Sequence, residues 1–158
     1  MRGFSGLVLS VALMAGSSDK PVEPSRALAP AQVIQILLAA LKHNDSPNAD
    51  DGIRTAFRFA SPGNRLMTGP EERFIRLVKN PLYRPLLNHR SSDVRPIQIS
   101  DDRAAQRVKL IDASGSPAIF VFTLSRQTLE PYKDCWMTDG VERIQPEDLP
   151  NTQIAALH

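Results

Sequence analysis

The chain has 158 residues, a formal net charge of +2, 42% hydrophobic and 23% charged residues. That is one domain's length, able to bury a core without disulfides or a structural metal, and its composition excludes disorder beyond the first thirty positions. Cys135 is the single cysteine, so an internal disulfide is excluded, which removes the usual sign of an oxidising compartment without ruling one out.

Met1-Arg2-Gly3 is a short positive start, followed from Phe4 to Ala15 by an apolar run with no acidic residue before Asp19. The run is too short to cross a bilayer as a helix and fits the hydrophobic region of a signal peptide, with small residues at Ala15-Gly16-Ser17 and again at Ala27-Leu28-Ala29. An organelle transit segment is the competing reading, although one arginine is few for it. Export or organelle targeting (plastid, thylakoid or periplasm) is therefore expected, with a cytoplasmic location as the alternative. Asp19 to Pro30 reads as a linker outside the fold, so residues 1–29 form a targeting segment and linker.

Val33, Ile34, Leu37, Leu38, Ala40 and Leu41 repeat at 3.6 spacing and predict an amphipathic helix from Pro30 to about Asn44. Lys42 and His43 suit its carbonyl end, so no metal ligand is needed to explain the histidine. The acidic loop from Asp45 to Gly52 lacks the spacing and closing glutamate of a calcium loop, and Asp50 or Asp51 is expected to cap the next helix. That helix carries Ile53, Ala56, Phe57 and Ala60 and is stopped by Ser61-Pro62-Gly63. Thr68-Gly69-Pro70-Glu71 reads as a capping box for a third helix faced by Phe74, Leu77 and Val78. Pro81 to Leu87 has room only for a short helical turn.

From Val94 the period changes to two. Strands are expected at Val94–Ser100, Ala104–Ile111, Ala118–Leu124 and from Tyr132 onward, with a glycine bulge at Gly140 bending one long last strand. Helices first and an antiparallel meander after them define an α+β domain over residues 30–146, with residues 147–158 as a peripheral tail. Between Arg54 and Arg95 nine basic residues face three acidic ones. This positive middle suits an anionic ligand or surface, although Arg73, Arg76 and Lys79 at helical spacing are also what a solvated helix face looks like. Cys135, beside Trp136, reads as a small buried hydrophobe.

Gly52-Ile53-Arg54-Thr55-Ala56-Phe57-Arg58-Phe59-Ala60-Ser61-Pro62, Thr68-Gly69-Pro70, Arg73-Phe74, the stretch from Asn80 to His89 and Cys135-Trp136-Met137-Thr138-Asp139-Gly140-Val141 together resemble an uncharacterised domain-of-unknown-function family of oxygenic phototrophs and some bacteria. The resemblance covers most of the chain after residue 30 and brings no established catalytic residues. The order of elements also resembles the cone of the nuclear-transport-factor and cystatin-like folds, in which helices and a curved sheet enclose a pocket. That likeness implies a cavity and leaves its use open, since the fold hosts enzymes and binding modules alike.

A non-enzymatic module for a small ligand or for assembly is the leading expectation, with Phe57, Phe59, Tyr83, Phe120, Phe122 and Trp136 as lining candidates, each equally at home in a plain core. The first alternative is acid–base catalysis in the pocket, with His89 as base and Tyr83, Arg84 or Asp134 as polarising partners; in the plainer account His89 is a hydrogen-bonding staple between the connector and the sheet. The second is a peripheral membrane or photosynthetic-complex accessory factor, whose membrane contact would be electrostatic because no helix has an interfacial anchor's pattern. No cofactor or metal is implied, no nucleic-acid reader motif is present, and pairing through an exposed sheet is a route to a homodimer.

Overall fold

In the computed structural model, residues 20–148 are described; they form four helices laid on one face of an open, five-stranded antiparallel sheet. The α+β expectation is met. Helices α1 (Pro30–Lys42), α2 (Asp51–Phe59), α3 (Pro62–Thr68) and α4 (Glu71–Val78) come first; a 3-10 turn at Arg84–Leu86 leads into strands β1 (Ser91–Val94), β2 (Gln98–Ser100), β3 (Arg103–Ile111), β4 (Pro117–Arg126) and β5 (Trp136–Ile144).

Helix α1 forms as its spacing predicts. Val33, Ile34, Leu37, Leu38 and Leu41 are all buried on one stripe. Gln32 Oε1 accepts the Ala29 N–H at 2.8 Å and so satisfies one of the orphan donors at the helix start. Helix α2 is capped from a distance and not by its own aspartates. Asn44, 2% exposed, accepts the Ile53 N–H through Oδ1 at 3.0 Å, and its carbonyl accepts the Gly52 N–H at 2.9 Å. Asp50 is instead held left-handed at φ 65°, with its carboxylate on Lys79 Nζ at 2.7 Å, while Asp51 binds the Asn48 backbone and side chain.

Four helices replace the three expected. Ser61-Pro62 does end α2, yet it also starts α3: Ser61 Oγ accepts the Asn64 N–H at 3.2 Å, and Pro62 takes the first turn, where a missing N–H costs nothing. No residue of α3 is buried, so its sequence carries no apolar stripe to read. The capping box expected at Thr68 is absent, because that hydroxyl already serves α3 by donating to the Asn64 carbonyl at 2.8 Å. Helix α4 does present Arg73, Arg76 and, just past its end, Lys79 to solvent.

The sheet order is β1-β3-β4-β5, with β2 also paired to β3. Along β3 and β4 alternate residues face the helices: Ala104, Gln106, Val108 and Leu110 lie opposite Leu124, Phe122, Phe120 and Ala118. Large residues sit across from small or medium ones, which lets both rows interdigitate with α1, and burying a phenylalanine such as Phe120 stabilises the fold by about 2–3 kcal/mol. The single first strand expected over Val94–Ser100 is divided. Pro96 has no N–H for the ladder, so three residues on this edge oppose Gln106 and Arg107, with the Arg95 N–H on the Arg107 carbonyl and Gln106 Nε2 on the Arg95 carbonyl.

The bulge expected in the last strand is present. Thr123 pairs with Gly140 and Leu124 with Thr138, which leaves Asp139 as the extra residue, the arrangement that locally bends a bulged strand. The strand itself begins at Trp136 and not Tyr132, since residues 131–135 are occupied by turns that include left-handed Asp134.

The segment read as a linker outside the fold is laid against it from Val22 to Leu28. Arg26 donates to the Lys133 carbonyl and pairs with Glu130, Arg58 reaches the Val22 carbonyl and Glu23, and Leu28 packs on the core. The apolar run expected to be a targeting signal, and the tail beyond residue 148, lie outside the described residues. Among the described residues no helix is long and apolar enough to cross a membrane.

Candidate functional site

Between α1, α2, α3, α4 and the bulged end of β5 lies a cavity of about 430 Å³. Its walls are largely apolar: Leu37, Leu41 and Ala56 from the first two helices, Phe74, Leu77 and Val78 from α4, Tyr83 and Leu86 from the connector, and Phe122 and Val141 from the sheet. Polar groups gather where α3 meets β5, namely Ser61, Asn64, Thr68, Thr138 and Asp139. Apolar walls with a few convergent polar groups are the general form of a small-molecule site.

Local chemistry builds that corner. Ala60 bridges Thr138 in parallel, and the Thr138 carbonyl accepts both the Ser61 N–H at 2.8 Å and Asn64 Nδ2 at 3.0 Å, so the start of α3 is sewn to the edge of β5. Arg65 ties down the other side. Its guanidinium donates to the Phe57 and Arg58 carbonyls at the end of α2 and to the Tyr132 hydroxyl, and lies 5.3 Å from the Phe57 ring centre and 5.4 Å from that of Tyr132. This arginine satisfies carbonyls that a helix end leaves open, and adds two cation–π contacts.

One group in the corner is unmet. Thr138 is 4% exposed and its Oγ1 has no hydrogen-bond partner among the described residues. A buried hydroxyl in that state costs about 1–3 kcal/mol.

Of the residues singled out from sequence, Tyr83 and Phe122 line the cavity and the other seven do not. Phe57 turns instead to Phe74, 5.3 Å away between ring centres, because it is the adjacent Ala56 that falls on the inward stripe of α2. Phe59 and Phe120 are fully buried in the core, Phe120 beneath Tyr83 at 6.5 Å, and Trp136 packs against the core's edge. Arg84 is exposed on the 3-10 turn with Nε on the Lys79 carbonyl, and Asp134 is exposed on its own turn. Leu37, Leu41, Ala56, Phe74 and Leu77 were legible only as helix stripes, and nothing local marks them as pocket walls.

His89 lines neither this cavity nor a second, more polar recess of about 490 Å³ near Pro96. It is 2% exposed and its Nδ1 meets the Leu86 carbonyl at 2.8 Å, a bond within the connector and not one from connector to sheet. Burial pushes its pKa below the ordinary 6.5, against the raising effect of the Leu86 carbonyl and together with the positive charges of Lys42 and His43. The unfolded chain therefore binds a proton near pH 6.5 that the folded chain refuses, so stability is full at higher pH and falls as pH drops from there through the lower folded value. Urea unfolding between about pH 7.5 and about pH 5.5 is expected to show that fall, and His89→Asn, which cannot titrate, to flatten it; an equally steep fall in the variant would exclude His89 as its source. Cys135 is buried, and its thiol is raised above the ordinary 9.0 chiefly by that burial, as fits an inert core thiol.

Fold and cavity together define an α+β domain with one face of its sheet covered and an apolar chamber beneath a short surface helix. The chain belongs to the family described as Domain of unknown function (DUF4864), which matches residues 26–149. No curated protein and no solved structure matches it.

Proposed function

We propose that this protein is a non-enzymatic binding module that holds a small, largely apolar molecule in the chamber between α3, α4 and β5. The observation that carries the reading is the 430 Å³ cavity, apolar on most sides, whose rim includes Met67 at 79% exposure. Among the described residues its titratable lining is Tyr83 and Asp139, and the Asp139 carboxylate is already engaged by Ser125 Oγ at 2.9 Å, which favours binding over acid–base chemistry. In this reading the bent sheet and its helices act as a cone of the nuclear-transport-factor and cystatin-like kind.

The test is a titration of the full chain with N-phenylnaphthylamine, a neutral dye that brightens in apolar surroundings. Saturable binding is expected, and Met67→Arg, which places a charge at the mouth, should weaken it about tenfold by the cost of bringing charge beside apolar surface. Leu66→Arg, one position along, 88% exposed and not lining the cavity, should leave binding within about twofold and stability within about 0.5 kcal/mol. Absence of saturable binding, or equal loss in both variants, would refute the assignment.

A second reading, docking of a protein partner, is favoured by Leu66 and Met67 standing exposed side by side on α3. Targeting by residues 1–29 is part of the same proposal. Cleavage near Ala15-Gly16-Ser17 would leave the Val22–Leu28 contacts in place, whereas cleavage after Ala29 would remove the Arg26–Glu130 pair and Leu28. N-terminal sequencing of the mature protein separates the two.

A further inference from the structure

The open face of the sheet carries a recess of its own. Ala104, Gln106, Val108 and Leu110 of β3 face the helices, so the alternate residues Arg103, Ala105, Arg107 and Lys109 face away from them. At Ala105, the smallest of these, and at the divide made by Pro96 lies the recess of about 490 Å³, walled by Arg95, Pro96, Ile97, Ala105, Arg107 and Val121 among others. Two of these residues are cations held side by side. Arg95 continues the register of β1, in which Val94 lies opposite Val108, and its N–H bonds the Arg107 carbonyl at 2.9 Å. Residues directly opposite each other in an antiparallel pair send their side chains to the same face, with Cβ atoms about 5 Å apart, and like charges so placed repel. Gln106 Nε2 fixes the pairing by donating to the Arg95 carbonyl at 2.8 Å.

Arg107 has an interaction of its own, whereas the exposed Arg95 guanidinium meets no acceptor among the described residues and keeps all five of its donors. No described carboxylate lines the recess. The opposing charges on this face stand off: Asp93 lies opposite Lys109, and Glu142 is two strands from Arg107, about 10 Å between backbones, with Val121 between them. We propose that this recess is a second binding site, separate from the chamber and independent of it, for a small organic anion. Its carboxylate or phosphate oxygens bridge Arg95 and Arg107, which turns their repulsion into charge-assisted hydrogen bonds, and its apolar ring or chain rests on Pro96, Ile97 and Val121.

Titration of the 15N-labelled full chain with 2-naphthoate, 2-naphthyl phosphate and neutral 2-naphthamide, followed by NMR, tests this. The two anions are expected to shift the amides of Gln98, Ala105 and Arg107 saturably and to bind at least about tenfold tighter than the naphthamide, the worth of one charge-assisted hydrogen bond. Whichever anion binds tighter assigns the head group. Arg95→Gln should weaken both anions about tenfold and melt no lower than the parent, because it removes a like charge from beside Arg107. Arg103→Gln takes a charge from the same face but off the recess, and should leave both affinities within about twofold. No saturable shift with any probe, naphthamide binding as tightly as the anions, equal loss in the two variants, or shifts confined to the chamber around Phe74 and Val141 would each overturn the proposal. None of these results bears on whether the chamber binds N-phenylnaphthylamine, so the two sites fail separately.

Discussion

Gly52→Ala is expected to destabilise the fold by about 3 kcal/mol or more, at the upper end of what overpacking costs, because the obstruction is backbone. A Cβ at this position would lie 2.2 Å from the Ala40 carbonyl oxygen in the last turn of α1 and 2.8 Å from the Asn44 Cα just beyond it. Neither atom is the tip of a flexible side chain. To relieve the clash, α2 must withdraw from α1, which breaks the Gly52 N–H bond to the Asn44 carbonyl and the Ile53 N–H bond to Asn44 Oδ1, and loosens Ile53, which is fully buried. Gly63, in the first turn of α3, is the matched control. A Cβ there meets nothing within 4 Å, so Gly63→Ala should stabilise by about 0.5–1 kcal/mol through helix propensity and a less disordered unfolded chain. Urea denaturation of both variants checks the pair; two small and similar effects would mean that α1 and α2 do not approach this closely.

Phe122→Ala is expected to have an effect of comparable size, a loss of about 3–5 kcal/mol, since the ring is 1% exposed and belongs to both the core and the chamber wall. Its neighbours cannot close over the gap. Phe122 is paired to Gln106 on one side and Val141 on the other in the middle of the sheet, so the vacated volume joins the existing cavity. The variant is therefore expected to accept bulkier neutral dyes than the parent even as its unfolding midpoint falls. Phe120→Ala, equally buried but off the chamber, should cost as much without that gain in capacity. A loss of stability with unchanged size selectivity would place Phe122 in the core alone.

How much of the domain was legible depended on whether the signal was local. Helix α1, the long strands β3 and β4 and the bulge before Gly140 all announce themselves, because a stripe at 3.6 spacing, alternation at two and an Asp-Gly step each act within a few residues. Helix α3 did not. It has seven residues and none buried, so its start at Ser61-Pro62 looked like a stop for the helix before it. The divided edge at Pro96 was hidden by the apolar alternation around it, although a proline in a strand is itself the warning. Arg65 was missed as well: its partners are carbonyls at the end of α2 and a tyrosine far along the chain, which no spacing rule connects.

The sequence by itself determined the class of the domain, helices on an antiparallel sheet, and the buried thiol, since burial and period are properties of single segments. Tertiary structure alone decided the chamber. Its walls come from all four helices, the connector and two strands, and which aromatic faces it depends on how α2 turns against α4 and where the bulge at Asp139 falls in β5. Those are relations between segments distant along the chain, set by packing and not by any local pattern, which is why Tyr83 and Phe122 were reached from sequence while Thr138, with its unmet hydroxyl, was not.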